Sequence, residues 1–555
     1  MIHPNTPAQA DDLLKSIERE FERLASQALA IKSQRNALVP IGRLPPEVLA
    51  EIFYELVCSY DEQTYDKPQY WLAVTFVCRA WRAAALSAPR CWSHIHFRSD
   101  DYDRVTTFLQ RSCSAPLQVS ISMELPTPIL QAVLGAMHRI QDLSFRLSPG
   151  VIELAEKGDG FAFNAPRLRR LTVKCCIPSS KTPLPTLSNA SWPLLSSLDC
   201  TGASLNVVQA MVRPTLAELR VKERRPNTIS AINWVNILGE LPSLEKIYLE
   251  AVAPLDVPLR VVPKPTRQVT LPRLRTLDFT DPGNGTACAT LLNHLVVSAD
   301  TLMRLRTYKD CMKEEAEYIL GAFAAKASGK DALGDPPRPA LAMTFDTWRA
   351  NGVYIGIYDE YLTTERTTRD GREVPGLDDY SPRCEIAIAG TGHDSSDVPI
   401  QVLTSLYPLS KINIVDIRTT PLNIKTEGVW QAVSQLPDVR EIEIVYDDDT
   451  AASFFSFMER SPVAFPKLEQ LALSAWKRSS WSKRERQKLA DTLMSLLIRL
   501  SGDRKERGME VKCLDIDFGG GMSSKDKSHR TLSKLGALVG EIRGIRQLRS
   551  HDDDK

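Results

Sequence analysis

Residues 242–249 have the sequence Pro-Ser-Leu-Glu-Lys-Ile-Tyr-Leu, and the pattern of this phrase decides the fold. Residues two apart on a β-strand share a face, so Ile247 and Leu249 are predicted to point inward together. Leu244 would then cover the turn that enters the strand. The phrase Pro-x-apolar-x-x-apolar-x-apolar recurs along the chain, which predicts repeated strand-entry units. Its copies begin at Pro166, Pro193, Pro214, Pro242, Pro272, Pro437 and Pro466.

The spacing of the copies indicates what lies between them. Neighbouring prolines are 27, 21, 28 and 30 residues apart in the first group and 29 apart in the last pair. Stretches with a helical pattern, such as 231–241 and 287–305, fill intervals of this kind. One strand and one helix per about 20–30 residues is the unit of a leucine-rich-repeat solenoid. This part of the chain resembles a degenerate array of such repeats, because the asparagine that closes regular copies is missing.

The fold class predicted for the chain is α/β, with an α+β N-terminus. Each repeat would bury its apolar face only against its neighbours, so the array is expected to fold as one body. The predicted order is an N-terminal amphipathic, coiled-coil-like helix at 1–39, a three-helix-type module at 40–98, the first part of a leucine-rich-repeat-like solenoid at 99–325, irregular repeats with long loops at 326–400, and the second part of the solenoid with a C-terminal capping helix at 401–550.

The region from residue 326 to residue 399 departs from the repeat pattern. The phrase disappears there, and glycine, proline and charged residues accumulate. Short strand-like runs remain at 341–345, 353–358 and 384–389. We interpret the region as irregular repeats that carry long loops, and a small inserted domain is the alternative.

Two further helices are predicted towards the C-terminus. Ser482-Lys-Arg-Glu485 is a capping-box pattern, which predicts a helix that begins there and continues to about Leu500. Residues 536–548 are predicted to form a closing helix that caps an exposed repeat end. Basic side chains in the first of these helices are either a contact for an acidic substrate or anion, or a solvated helix face. They are Lys483, Arg484 and Arg486.

An amphipathic helix is predicted at residues 13–38. Its apolar residues follow alternating steps of three and four, broken by Arg35, and Pro40 ends the helix. Two interpretations fit this stripe, a coiled-coil dimer seam and a helix packed on its own neighbour. The stripe consists of Leu14, Ile17, Phe21, Leu24, Ala28, Ile31 and Leu38.

Composition excludes some classes of function. The chain has 69 basic and 68 acidic residues, a formal net charge of +1, which argues against a generally basic nucleic-acid binder. Its apolar runs are too short to span a bilayer, and residues 1–12 lack the layout of a signal peptide. The 11 cysteines form no CxxC pair and no cluster with zinc-ligand spacing. Reduced thiols and a location in cytoplasm and/or nucleus are therefore expected, with no membrane partner.

The chain also lacks common sequence patterns for catalysis. The chain contains no GxxxxGK[ST] phosphate loop, no HExxH and no GxSxG. No catalytic residue, metal ligand or cofactor is therefore expected, and an enzyme hidden in residues 326–399 would lack any motif.

Residues 41–97 are rich in apolar and aromatic residues and predict short helices. Leu44-Pro-Pro-Glu47 places prolines at a helix start, where their missing N–H groups cost little. An apolar helical stripe follows as far as Val57, and the polar stretch 59–69 is predicted to be a loop. A second helix is predicted from Trp71 to Leu86.

This stretch resembles the F-box. The first half of that motif is matched by Leu44, Pro45, Glu47, Val48, Leu49, Ile52 and Phe53. The second half is matched by Val77-Cys-Arg-Ala-Trp-Arg82, a small-residue helix, and Pro89 followed by Trp92. The loop at 59–69 is longer than in the compact motif and is similar to loops of the F-box-like proteins common in fungi. A loop of this kind costs little free energy.

The resemblance implies a function. An F-box protein of this layout would be the substrate receptor of a cullin–RING (SCF-type) ubiquitin ligase, with catalysis supplied by partner subunits. The module would bind a Skp-type adaptor, and through it a cullin, while the repeats would hold a protein substrate. A repeat scaffold for protein–protein interaction without degradation is the alternative. The residues implied as adaptor contacts and their support are Leu44, Pro45, Glu47, Leu49, Ile52, Phe53, Val77, Cys78, Trp81 and Trp92.

Overall fold

A computed structural model of the 555-residue chain provides the structure, which separates into two compact units. The first unit lies within residues 1–178 and 183–195, and the second within 179–182 and 196–555. The described residues are 7–59, 70–97, 102–121, 127–148, 164–175, 185–222, 231–250, 268–281, 283, 285–298, 300–308, 313–327, 340–348, 352–358, 383–388, 409–418, 427–446, 448–475, 483–517 and 527–543.

The first unit combines helices with a small parallel sheet. Its strands pair in chain order, β1 with β2, β2 with β3, and β3 with β4, and all three pairs are parallel. The strands are β1 (His94–Phe97), β2 (Leu117–Ile121), β3 (Ile140–Leu147) and β4 (Arg170–Cys175). The helices are α1 (Pro7–Leu38), α2 (Pro46–Cys58), α3 (Arg79–Leu86), α4 (Tyr102–Arg111), α5 (Thr127–Gly135) and Pro185–Ser188, with 3₁₀ turns at Pro40–Arg43, Tyr70–Phe76, Pro89–Trp92 and Met137–Arg139.

The second unit is built on a longer, mostly parallel sheet. The strands are β5 (Ser197–Thr201), β6 (Glu218–Lys222), β7 (Lys246–Glu250), β8 (Val269–Leu271), β9 (Thr276–Asp281), β10 (Leu295–Val297), β11 (Leu302–Thr307), β12 (Ala342–Trp348), β13 (Gly352–Tyr358), β14 (Cys384–Ile388), β15 (Ile414–Arg418), β16 (Glu441–Tyr446), β17 (Gln470–Ala475), β18 (Cys513–Asp517) and β19 (Glu541–Arg543). The helices are Leu205–Met211, Ala231–Gly239, Thr286–Asn293, Lys313–Ala327, Glu427–Ser434, Asp448–Arg460, Lys483–Glu506 and Lys527–Gly536.

Strand order in this sheet follows the chain except in one region. β5, β6, β7, β9, β11 and β14 are successive parallel neighbours, and so are β12 and β15 to β19. Between the two series, β13 pairs antiparallel with both β14 and β12. β8 and β10 form a separate parallel pair. The strands β12, β13 and β14 therefore interrupt the parallel order with an antiparallel meander.

The recurring phrase forms the strand entry that its pattern predicts. In the copy at residues 242–249, Leu244, Ile247 and Leu249 are all buried. The Leu244 N–H donates to Leu241 O at 3.3 Å, which closes the turn before β7. The Glu245 N–H then donates to Ala217 O at 2.7 Å, so the turn residue is already hydrogen-bonded to the residue before β6. Mixed helix and strand content on a long parallel sheet is compatible with a solenoid-like α/β arrangement.

Two predicted helices have other structures. The stretch 287–305 is a helix only to Asn293, and β10 and β11 follow, because the β-branched pair Val296–Val297 favours a strand. The predicted closing helix at 536–548 is also wrong where it is described: a helix ends at Gly536 and β19 follows. A Cβ on Gly540 would lie 2.7 Å from Lys512 O, so this close approach requires glycine.

The long helices of the described chain can be compared with membrane-spanning helices. None of those that the structure describes combines the length and the apolar character that a membrane span requires.

Candidate functional site

The helix α2 begins at the two prolines that the sequence analysis singled out. Pro45 has extended backbone and its carbonyl accepts the N–H groups of Val48 and Leu49, both at 3.1 Å. Pro46 occupies the first helical position, where no N–H is needed. Glu47 lies in the first turn, where a negative charge is favourable near the helix N-terminus. The Leu-Pro-Pro-Glu sequence therefore fixes where α2 starts.

Two apolar stripes run along α2, one residue apart. Leu49, Phe53 and Val57 are buried in the unit, with Phe53 fully enclosed. Residues four apart lie one above the other on a helix, so the preceding residues form a second stripe. Val48, Ile52 and Leu56 are 42%, 40% and 48% exposed. We call these three residues the outward stripe of α2.

The inward stripe packs on an aromatic interior. The Phe53 and Trp81 ring centroids lie 5.2 Å apart. Trp92 is buried, and its Nε1–H donates to Ala85 O at 2.8 Å. The Trp92 ring also makes edge-to-face contacts with Trp71 at 4.9 Å and Phe108 at 5.0 Å. Trp92 therefore holds the unit together, since a buried indole needs both apolar contact and a partner for its N–H.

Cys78 starts helix α3. Its backbone is extended, and its Sγ accepts the Trp81 N–H at 3.5 Å, the geometry of an N-cap. The helix predicted from Trp71 to Leu86 is thus two elements, the 3₁₀ turn Tyr70–Phe76 and α3. The side-chain cap supplies an acceptor to an N–H group that would otherwise have no partner at the helix start.

Apolar side chains are also exposed just before this cap. Val77 is 58% exposed, and Phe76, which the sequence analysis did not single out, is 80% exposed. A phenylalanine this exposed beside a compact module is unusual, because its burial would be worth about 2 kcal/mol. The signal that could have identified it is the apolar pair immediately before a helix cap.

The implied contact residues fall into three groups by exposure. Leu49, Phe53 and Trp92 are buried, and their part in binding would be to support the module. The exposed residues are Pro45, Glu47, Ile52 and Val77, and the half-buried ones are Leu44, Cys78 and Trp81.

Polar contacts tie the end of the module to α2. Arg90 Nη1 lies 2.6 Å from Glu51 Oε1, and its guanidinium lies 3.9 Å from the centroid of the Tyr54 ring. Beside it, burial raises the pKa of the Cys91 thiol to about 11, so this thiol stays protonated at neutral pH. Burial lowers the pKa of His94 to about 4, with smaller contributions from His96 and Arg90. At neutral pH both of these groups are therefore uncharged.

The comparison with known families addresses the same stretch. Residues 41–98 match the F-box-like family. The match covers about a tenth of the chain and includes α2, α3 and β1. No curated protein matches the chain. Residues 41–98 therefore form an F-box-like domain, which implies binding to a Skp-type adaptor, and F-box proteins are generally adaptors rather than enzymes.

The second unit carries a polar row on its sheet. Strand register places Asp199, Arg220, Tyr248, Asp278, Arg304 and Glu385 opposite one another across six neighbouring parallel strands. The guanidinium of Arg220 lies 4.2 Å from the centroid of the Tyr248 ring. Arg304 and Arg306 both lie 3.1 Å from Glu385 carboxylate oxygens. Burial raises the pKa of Asp278. We call these six residues the polar row.

The candidate basic cluster lies at the start of the helix Lys483–Glu506. The side chains of Lys483, Arg484 and Arg486 lie outside the described residues. Their role in binding a substrate or an anion stays a prediction.

Proposed function

We propose that this protein is the substrate-recognition subunit of an SCF-type cullin–RING ubiquitin ligase. Its F-box-like domain would bind a Skp-type adaptor and, through it, a cullin. The degenerate leucine-rich repeats of 99–325 and 401–550 would hold a protein substrate. The length of the polar stretch after α2, whose residues 60–69 lie outside the described residues, fits an F-box-like domain of the fungal type.

The observation that carries the proposal is the outward stripe of α2. An apolar helix face that is exposed in a folded unit suits helix-in-groove binding to a partner. Val48, Ile52 and Leu56 would enter the adaptor, and Phe76 and Val77 would add contacts from the turn before α3. Leu49, Phe53 and Trp92 would act through the shape of the domain.

The polar row of the second unit supports the substrate half of the proposal. Its residues alternate in charge and include an aromatic ring, a combination that is able to hydrogen-bond to a protein segment and to stack on it. The ion pairs of Glu385 with Arg304 and with the nearby Arg306 hold two side chains of the row in place before any ligand arrives. Side chains ordered in advance lose less entropy on binding.

The test is copurification of the full chain with a purified Skp-type adaptor and a cullin. The variant Val48→Asp, Ile52→Asp is expected to lose the adaptor, because it places two charges in a desolvated apolar contact. The matched control is Val463→Asp in the second unit, at a valine that is 66% exposed. All three proteins must share one circular-dichroism spectrum.

Each outcome has a meaning for the proposal. Retention of adaptor and cullin by wild type and control, with loss in the double variant, would support it. An adaptor complex that never recruits a cullin would favour the non-degradative scaffold. A wild-type chain that binds no adaptor would refute the proposal that the F-box-like domain recruits an adaptor and, through it, a cullin.

A further inference from the structure

The helix α1 carries an apolar stripe that the described part of the chain leaves uncovered. Between Asp11 and Leu38 every residue is exposed except Asn36, which is half-buried. Phe21 and Leu38 are 72% and 69% exposed. An isolated helix is marginally stable in water, and most helical stability comes from packing of the apolar face. A 32-residue helix of this kind therefore calls for a second surface.

The attachment of α1 lies at one end. Arg43 Nη2 donates to Leu38 O at 2.9 Å, which fastens the last turn of the helix to the 3₁₀ turn that follows. A Cβ on Gly42 would lie 1.9 Å from Asn36 O, so the turn approaches α1 closely there. The stripe that precedes this anchor stays open to a partner.

The stripe has the period of a coiled coil. In a heptad assignment the core positions a and d are filled from Leu14 to Leu38, about three and a half heptads. Arg35 occupies one of the a positions. The a residues are Leu14, Phe21, Ala28 and Arg35, and the d residues are Ile17, Leu24, Ile31 and Leu38.

The charges beside the stripe identify the orientation of a second copy. In a parallel pair, Arg35 would face Arg35 of the second copy in the seam, which is unfavourable. At the flanking e and g positions of a parallel pair, Glu20 would face Ala25 of the second copy and Gln27 would face Lys32 of the second copy. Neither contact joins opposite charges.

In an antiparallel pair the same residues fit. Phe21 lies opposite Ile31 of the second copy, and Arg35 lies opposite Ile17, next to Glu18. Glu18 lies opposite Lys32 of the second copy, and symmetry produces this pair twice. Opposite charges at such flanking positions set partner choice and orientation in coiled coils.

The contacts within α1 are consistent with that assignment. Glu20 is already paired inside the helix, where it accepts Arg23 Nε at 2.8 Å. Asp11 pairs with Lys15 at 3.6 Å. In the part of the chain that the structure describes, Glu18 and Lys32 have no such ion-pair partner. The two charges needed by the antiparallel pair are therefore among those that α1 leaves without an ion pair.

We infer that α1 pairs antiparallel with α1 of a second copy of this chain. Two F-box-like domains and two substrate surfaces would then belong to one assembly. Linked binding sites raise the effective concentration of the second contact, so a substrate with two recognition segments would be favoured.

The first arm of the test is the mass of the full chain by sedimentation equilibrium over a range of concentrations. Wild type is expected to approach twice 62.0 kDa, and Phe21→Glu, Ile31→Glu is expected to stay at 62.0 kDa. Both positions are exposed, so the variant should keep its fold and its adaptor binding. A wild type that is monomeric throughout, or a variant that still dimerises, would overturn the inference.

The second arm tests the orientation. Glu18→Lys and Lys32→Glu each convert two attractive pairs into two repulsive ones, so each alone should weaken dimerisation by about tenfold at low salt. An equimolar mixture should recover the wild-type affinity as a heterodimer, detected by capture of a tag on one variant. Dimers that ignore both charge reversals would rule out the antiparallel pair. Loss of adaptor binding in Phe21→Glu, Ile31→Glu would assign the stripe to the adaptor instead.

Discussion

The inward and outward faces of α2 have almost the same composition and very different surroundings. Leu49, Phe53 and Val57 are buried against an aromatic interior, whereas the outward stripe of Val48, Ile52 and Leu56 stays exposed. Residues adjacent in sequence are thus divided between holding the domain together and presenting a surface. The comparison teaches that an apolar motif residue can be retained for folding or for binding, and that burial separates the two.

Truncation on the inward face is expected to have the largest effect. Phe53→Ala should lower the free energy of unfolding by about 4 kcal/mol, because it leaves a cavity beside Trp81. Urea denaturation followed by tryptophan fluorescence measures the change. Ile52→Ala is the matched control on the outward face and should cost under about 1 kcal/mol. Equal losses in the two variants would remove the distinction between the faces.

A buried arginine in the second unit extends the comparison from apolar to polar groups. Arg504 is almost fully buried, and it donates to Ala464 O at 2.9 Å, Phe465 O at 2.8 Å and Met509 O at 3.2 Å. Arg504→Met should cost about 3 kcal/mol, because it leaves buried carbonyls without donors. Arg507→Met, at an exposed position on the turn that follows the same helix, should be nearly neutral. Thermal unfolding of the two variants side by side would show a difference of less than 1 °C if the burial of Arg504 were unimportant.

The pH dependence of stability tests the environment of His94 in the F-box-like domain. Burial lowers the pKa of His94 from 6.5 to about 4. The unfolded chain therefore takes up a proton below pH 6.5, while the folded chain does so only near pH 4. Stability that is complete above pH 6.5 should fall by about 3 kcal/mol as the pH drops towards 4.

The variant His94→Gln isolates this contribution. The difference in unfolding free energy between wild type and variant should change between pH 7 and pH 4.5, since other titrating groups are common to both. A difference that is the same at both pH values would show that folding does not lower the pKa of His94.

The helix cap at Cys78 is expected to give the smallest effect. Cys78→Ala should cost about 1 kcal/mol, because the Trp81 N–H loses its acceptor. Cys78→Ser should keep the cap and most of the stability. If chemical denaturation shows that the serine variant is as unstable as the alanine variant, the thiol contributes through packing rather than as a cap.

The regular part of the fold follows from local pattern. In the phrase that begins at Pro242, apolar residues two apart specify a strand and the proline marks the turn, so β7 lies where the pattern places it. The strand-like run 353–358 marks β13 itself, but its antiparallel pairing carries no local signal, because that pairing depends on β12 and β14, which lie more than 25 residues apart from each other. The apolar stretch after Leu291 fits a helix or a strand equally well, and tertiary pairing decides it.

The candidate site could be predicted only in part, because its arrangement also depends on residues that are distant along the chain. The F-box motif identifies α2, but apolar residues occupy both of its stripes, and the sequence does not say which one turns inward. That choice is made by Trp81 and the cluster around Trp92, which lie far along the chain from Phe53. Phe76 does not belong to any apolar helical pattern in the sequence. Its exposure depends on where the 3₁₀ turn Tyr70–Phe76 ends and on the cap at Cys78 that begins α3, and the sequence signals these only weakly, by the apolar pair before the cap.

The most direct test of the account is the adaptor dissociation constant of Ile52→Asp measured beside that of Val463→Asp by isothermal titration calorimetry. The account predicts that Ile52→Asp weakens adaptor binding by at least about 30-fold, with the unfolding free energy almost unchanged, because a desolvated hot-spot residue contributes about 2 kcal/mol or more. Val463→Asp should bind as wild type does. An unchanged dissociation constant for Ile52→Asp would contradict the claim that the outward stripe of α2 is the adaptor-binding surface.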